Sequence, residues 1–237
     1  MSGFRTIGVL GGMGPAATVD FLGKLLAARG ATRDQDHPRV LVDCDPTLPD
    51  RHAAVRGEGP SPGPRLAAMA RGLERAGAEV LCMPCNTAHA FEADVRGATP
   101  LPFVSIVAAS VGETLRLTPN AKRVGLLAAA GARDAGLYPQ AFAAHGVETS
   151  DADGERFMAC VWRVKAGDTG PAVRAEMRAL SAELQASGAE AIVAACTEVP
   201  LVLAQDDVDL PLIDSSSALA QATIAAAALP TEDAARM

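Results

Sequence analysis

The sequence predicts an α/β fold: two similar Rossmann-like α/β domains in a pseudo-twofold relation, with the functional site in the cleft between them. Three observations lead there. Short apolar, β-branched runs alternate with longer stretches of helical spacing, the pattern of parallel strands and crossover helices. That pattern occurs twice along the chain. The two occurrences also share residues: IGVLGGMG at 7–14 answers VGLLAAAG at 124–131, and GAEVLCMPC at 77–85 answers GAEAIVAAC at 188–196. The chain has 237 residues, 49% of them hydrophobic, which is enough for two small units with a substantial core.

Taken in order, residues 6–10 (TIGVL) read as the first buried strand. Gly11, Gly12 and Gly14 turn the chain, and Pro15 suits the first turn of a helix, where its missing N–H would have no partner anyway. AATVDFLGKLLAARG then carries apolar residues at helical spacing, and VLVD at 40–43 is the second strand. A polar, proline-rich loop follows to Gly63. Residues 65–76 read as a helix ended by Gly77, and residues 80–83 as the third strand. In the second half, 124–127 is a strand and 134–144 a helix, with Tyr138 and Pro139 an awkward point inside it. Residues 171–187 form the clearest helix and end at Gly188.

The formal net charge of -7 leaves no basic face to gather phosphates, so no nucleic-acid partner is expected. A local basic pocket for a small anion remains compatible with it. The five cysteines are odd in number and widely spaced, unlike a disulfide scaffold. Cys82 and Cys85 form one C-x-x-C, but no second pair completes a structural zinc site, and Cys82 lies too early, inside the strand, for a redox dithiol. The start of the chain lacks a basic region followed by a long apolar run, and no apolar stretch reaches the length of a membrane span. These features predict a cytoplasmic protein with free thiols and no membrane partner.

The aligned halves place Cys85 and Cys196 at equivalent points, each just past a buried strand and each followed by residues fit to start a helix. The carboxyl ends of strands are where open α/β sheets bind ligands. A helix N-terminus there would favour thiolate over thiol. Two such units facing across a cleft would bring one thiol to each side of a substrate. One thiolate could remove a proton from carbon while the other thiol delivers one to the opposite face. Abstraction beside a carboxylate needs donors for the charge that builds on oxygen. Asn86, Thr87 and Thr197 stand next to the thiols, where such donors are required, and no cofactor is needed.

The chain resembles the aspartate/glutamate racemase family, the two-cysteine amino acid racemases that work without pyridoxal phosphate. The resembling segments are IGVLGGMGPAATVDF at 7–21, VDCDPTLPDR at 42–51, GPSP at 59–62, MPCNTAHAF at 83–91, VKAG at 164–167, CTEVPLVL at 196–203 and IDSSSALA at 213–220. They run in order over nearly the whole chain and look closest to the aspartate racemase branch. The resemblance implies a first domain at 1–117, a second at 118–210 and a C-terminal segment, 211–237, returning to the first. It also implies a homodimer, catalysis by Cys85 and Cys196, and an acidic amino acid as substrate. Asn86, Thr87 and Thr197 would hold its α-carboxylate, and Arg51 and Lys165 would grip the side-chain carboxylate, where a bidentate guanidinium fits well. Met13 and Glu198 complete the substrate-binding set, Glu198 through the substrate's amino group or the residues around it, its other reading being a first-turn helix acid.

The family pattern is departed from at Ala195, where glycine is common, at Ala132, where a threonine hydroxyl is common, and at Cys44 and Asp45, where asparagines are common. Asp45 would bring negative charge to the pocket if it lined it. The leading expectation is interconversion of L- and D-aspartate. The alternatives are glutamate racemisation, maleate-type isomerisation through a covalent cysteine adduct, and an inactive amino-acid-binding protein. Gly12, Gly14 and Ala17 also fit the dinucleotide fingerprint, but Pro15 interrupts it and Asp43 follows Gly12 by more than the usual interval. No lysine follows the glycines as in a P-loop. His37, His52 and His145 share no ligand spacing, so no metal is expected. His89 could either tune the site or simply pack, and Cys82, Cys44 and Cys160 read mainly as structural.

Overall fold

The first half of the chain builds one sheet from β1 (Ile7–Gly11), β2 (Val40–Cys44), β3 (Val80–Cys82) and β4 (Phe103–Val104). The second half builds another from β5 (Arg123–Leu126), β6 (Glu148–Asp151), β7 (Ala191–Ala194) and β8 (Leu212–Asp214). In this computed structural model, which describes residues 3–229, every strand pairing within the two sheets is parallel. The orders are β2-β1-β3-β4 and β6-β5-β7-β8, so the second sheet repeats the first.

The register repeats as well. Ile7, Gly8 and Val9 pair with Val80, Leu81 and Cys82, and Val124, Gly125 and Leu126 pair with Ala191, Ile192 and Val193. These are the same three pairs carried from one half to the other by the sequence match.

Among the described residues, ten α-helices connect and cover the strands. They are α1 (Pro15–Arg29), α2 (Arg51–Val55), α3 (Gly63–Arg75), α4 (Glu92–Ala98) and α5 (Ile106–Leu117), then α6 (Ala130–Asp134), α7 (Leu137–Ala143), α8 (Gly154–Lys165), α9 (Pro171–Ala186) and α10 (Ser215–Ala227). Helices α3 and α4 share a core with one face of the first sheet, through Leu10, Leu66, Leu73, Leu81 and Val95. Helices α8 and α9 do the same for the second, through Phe157, Val161, Met177, Leu180 and Ile192. The remaining faces meet in one common core. Val9, Phe21, Leu25 and Cys82 from the first half join Val124, Leu126, Tyr138, Phe142 and Val193 from the second, with Ile106, Val111 and Leu219 between them.

Helix α10 leaves β8 of the second sheet and packs on α1, α5 and β3. Its end is tied to the start of the chain, where Arg5 N–H donates to the Ala227 carbonyl and Leu229 N–H to the Gly3 carbonyl. Residues 230–237 of the expected returning segment lie outside the described residues.

Three sequence expectations change. The helix expected over 134–144 begins only at Leu137, as α7, and a separate short helix, α6, precedes it, because Gly136 adopts a left-handed conformation (φ 62°) between them. Pro139 then falls in the first turn of α7, where a missing N–H costs no hydrogen bond. The proline-rich loop contains α2, capped by Asp50, whose carboxylate accepts from Ala53 N–H at 2.9 Å. The helices expected directly after both cysteines are only 3₁₀ turns, at Thr87–Phe91 and Val199–Leu201.

The duplication is also a packing device. A Cβ placed on Gly8 would stand 2.6 Å from Leu81 Cδ2, 2.9 Å from Ala78 Cβ and 3.3 Å from Leu73 Cβ. One on Gly125 would stand 3.0 Å from Leu184 Cβ and 3.3 Å from Ala189 Cβ. Leu73 and Ala78 correspond to Leu184 and Ala189, so each central strand uses glycine to let its helix and the turn after it approach closely. Gly8→Ala should therefore destabilise the fold by about 1–3 kcal/mol through overpacking. Gly125→Ala, against more distant atoms, should cost less. Urea unfolding of the two variants tests the order.

Candidate active site

The carboxyl ends of β3 and β7 deliver Cys85 and Cys196 to a single cavity between the two sheets. It is lined by Met13, Arg51, His52, Cys85, Asn86, Thr87, Ala129, Val161, Lys165, Cys196, Thr197 and Glu198. Every site residue expected from the sequence borders it. Three more do so as well: His52, Ala129 and Val161.

The two halves meet crosswise. Gly14 of the first glycine turn faces the second half: a Cβ there would lie 3.5 Å from Lys165 Nζ and 3.7 Å from Glu198 Oε1. Gly131, its counterpart, faces the first half, and a Cβ there would lie 2.5 Å from Thr87 Cγ2 and 3.0 Å from His52 Nδ1. Thr87 and Glu198 are themselves counterparts, each two residues beyond a cysteine.

Arg51 opens α2, and its Nη1 donates to the carbonyls of Pro49 (3.0 Å) and Leu48 (3.3 Å). That anchors the guanidinium while leaving other N–H groups for a ligand. His52 follows it, and its Nδ1 accepts from Gly131 N–H at 2.9 Å, joining α2 to α6. Burial pushes the His52 imidazole below its ordinary pKa, with the Asp50 carboxylate pulling the other way. The signal that could have placed His52 at the site was the Asp50 cap, which marks residues 51–55 as one helical turn.

Glu198 is 4% exposed and serves three partners. Lys165, at the end of α8, donates to Oε1 in a short ion pair. Cys196 Sγ donates to Oε2 at 3.0 Å, and Thr197 Oγ1 lies 3.4 Å from the same oxygen. Burial works against the Lys165 ammonium, but Glu198 outweighs it and raises the lysine above its usual value. Removing Lys165 would leave a buried carboxylate uncompensated, at about 3–5 kcal/mol.

The thiols are not held as thiolates by helix N-termini, as the sequence had implied. Both cysteines are buried, and the 3₁₀ turns after them supply little dipole. Burial pushes Cys85 up, while Arg51 and the Ala88 N–H pull it back. Burial pushes Cys196 much further up, and the Glu198 carboxylate adds to it. Two equivalent thiols thus have unlike neighbours: a cation favours ionised Cys85, and a carboxylate keeps the proton on Cys196.

The remaining expectations resolve as follows. His89 is buried and acts as a brace: Nδ1–H donates to the Cys85 carbonyl at 2.8 Å and Nε2 accepts from Ile106 N–H at 3.0 Å. Burial lowers its pKa to about 4, so the ring is neutral. Cys82 is fully buried in β3 and pushed up to about 12 by burial, and Cys160 is also buried. Cys44 is exposed on a separate groove beside Asp43, Asp45 and Arg65. Asp45 accepts from Thr47 N–H and Oγ1 and pairs with Arg65, so it brings no charge to the cavity. Ala132 is buried, and the wall near it is Ala129. Among the described residues, no group of three or more His, Cys, Asp or Glu side chains is placed to hold a metal, and no helix is long and apolar enough to cross a membrane.

Residues 10–223 match the family described as Asp/Glu/hydantoin racemase. The chain is similar to the broad specificity amino-acid racemase RacX of Bacillus subtilis (strain 168), 28% identical over 231 residues, covering 92% of this chain and 96% of the relative. Among solved structures it is similar to Picrophilus torridus aspartate racemase, with a TM-score of 0.86, 29% identity and 98% of each chain covered. A glutamate racemase from Francisella tularensis subsp. tularensis SCHU S4, in complex with D-glutamate, shares the fold, with a TM-score of 0.72 and 18% identity over 94% of this chain and 81% of that one.

The electrostatics of the cavity can be tested on the thiols directly. Each raised thiol gains its reactive thiolate only as pH rises, so alkylation of both should keep accelerating above about pH 8.5, the ordinary cysteine value. Glu198→Gln removes the charge that holds the Cys196 proton, so the alkylation midpoint of that thiol should fall, with a smaller change at Cys85. Peptide mass spectrometry across a pH series reads both.

Proposed function

The chain belongs to the Asp/Glu/hydantoin racemase family and is an amino acid racemase, and on that premise we propose that it interconverts L- and D-aspartate by two-base proton transfer between Cys85 and Cys196. The observation that carries the reading is the convergence of two thiols from equivalent strand ends on one cavity that also holds Arg51 and Lys165.

In one direction Cys85, as thiolate, takes the α-proton and becomes a thiol. Cys196, as thiol, gives its proton to the opposite face and becomes a thiolate. The reverse direction exchanges the roles. Charge that builds on the α-carboxylate is met by Thr87, Thr197 and the amide of Asn86. Arg51 takes the side-chain carboxylate, with Lys165 beside it, and Met13 closes the wall. Glu198 receives the α-ammonium and holds the Cys196 proton until it is needed. The unlike neighbours of the thiols make Cys85 the first base and Cys196 the first acid. In this reading the lobes expected at 1–117 and 118–210 are completed by β8, which joins the second sheet, and by α10, which returns to the first, and the enzyme is a cytoplasmic homodimer that needs no cofactor.

A second reading, racemisation of a wider set of amino acids, is favoured by one feature. Glu198 already neutralises Lys165, which leaves Arg51 as the cation of the cavity wall without a carboxylate partner among the described residues.

Incubation of the protein in heavy water with L-aspartate, L-glutamate and a neutral amino acid separates the two readings. Loss of the α-proton signal with D-aspartate alone appearing supports the first, turnover across the set supports the second, and no exchange with any of them defeats both. Cys85→Ala and Cys196→Ala should each lower racemisation by about 10²–10⁴-fold while leaving circular dichroism unchanged. Full activity in either variant would rule out the two-thiol mechanism.

A further inference from the structure

Between the two cysteine loops runs a chain of buried polar groups that does not border the cavity except at one residue. Tyr138, on α7, donates its hydroxyl proton to Asn86 Oδ1 at 2.6 Å. Asn86 Nδ2 donates to Ser215 Oγ at 3.1 Å, and Ser215, at the start of α10, donates to the Ala194 carbonyl at 2.6 Å. Ala194 ends β7, two residues before Cys196. Ser110 of α5 lies 3.3 Å from the Tyr138 oxygen and gives its own proton to the Ile106 carbonyl at 2.7 Å.

The direction of every bond is determined. Ser215 has one proton and spends it on Ala194, so it must accept from Asn86, and the asparagine amide must turn its oxygen to Tyr138. Burial pushes the Tyr138 phenol far above its ordinary value, so it stays a donor. All four side chains are nearly or wholly shielded from solvent, with Asn86 the most exposed at 2%. In so dry a place each unmade bond would be expensive, so the chain of bonds is stiff. Asn86 is covalently next to Cys85. Its counterpart Thr197 makes no such crossing, its one side-chain hydrogen bond among the described residues being to Glu198. The link is therefore a single strut from the first cysteine loop to the second.

We propose that Tyr138 and Ser215 are positioning residues, which act through Asn86 to set the distance between the two thiols across the cavity. This inference rests on the two-thiol reading above. Inversion needs both sulfur atoms at the same α-carbon on opposite faces, whereas removal and return of a proton on one face needs only one sulfur. Loosening the strut should therefore harm inversion more than exchange. Misplacement by an ångström can cost about 10²-fold in rate.

The test uses Ser215→Ala and Tyr138→Phe, neither of which lines the cavity. For each, α-deuterium incorporation into the starting enantiomer and formation of its mirror image are followed together in heavy water, beside the unaltered protein. The expected result is at least a tenfold fall in inversion and a severalfold rise in the ratio of exchange to inversion, with KM within about twofold. Tyr138 holds one end of the Asn86 amide and Ser215 the other, so the double variant should be at least as impaired in inversion as the poorer single one. An unchanged ratio, whether both rates fall or neither does, overturns the proposal. If Ser215→Ala fails to fold, Tyr138→Phe decides alone, since it removes one oxygen and keeps the ring. Failure of the unaltered protein to exchange or invert any substrate would instead overturn the reading of function.

Discussion

A parallel sheet has to be covered on both faces, and that requirement organises this molecule. Each four-stranded sheet finds cover on one face from its own helices, α3 and α4 for the first and α8 and α9 for the second. The other faces are covered jointly, by a layer in which α1, α5, α7 and α10 meet. Because that layer is shared, the halves cannot be placed independently. The carboxyl ends of β3 and β7 come to face one cavity, and the glycine turn of each half lies against side chains of the other.

The duplicated backbone gives both cysteines the same reach, and the side chains around them break the equivalence. Two residues beyond each cysteine the chain has Thr87 in one half and Glu198 in the other. A carboxylate at the second position keeps a proton on Cys196, while Arg51 at the first eases its loss from Cys85. In the two-base reading proposed above, inversion at carbon asks for this combination of symmetric access and asymmetric proton load. The buried hydrogen bonds through Asn86 have no counterpart at Thr197 among the described residues.

Much of this was legible in the residues. The paired segments gave the two units, their central strands and the equivalence of the cysteines, because a strand of consecutive buried residues between a glycine cap and a turn leaves a plain trace. Elements with a weak trace were missed. Strand β4 has two residues, too few for a period, and β6 is the polar run ETSD at a sheet edge. Helix α8, by contrast, has a readable apolar spacing at Phe157, Cys160, Val161 and Val164. The helices expected after the cysteines rest on cap-like residues alone, and tertiary packing allows only a 3₁₀ turn.

By itself the sequence determined the α/β class, the internal repeat and the family, because these depend on local periodicity and on motifs with fixed spacing. It also named nine of the twelve residues that border the cavity, all but His52, Ala129 and Val161. The tertiary structure alone decided how those residues act. The state of a thiol depends on burial and on charges brought from the other half, so both cysteines proved raised where a helix N-terminus had implied the reverse. Only the fold could show that Asp45 turns away to Arg65, that His52 joins α2 to α6, and that Asn86 is held by a tyrosine 52 residues and a serine 129 residues further along the chain. Hydrogen bonds over such separations leave no periodic mark in a sequence. They exist because two buried sheet faces had to share one core.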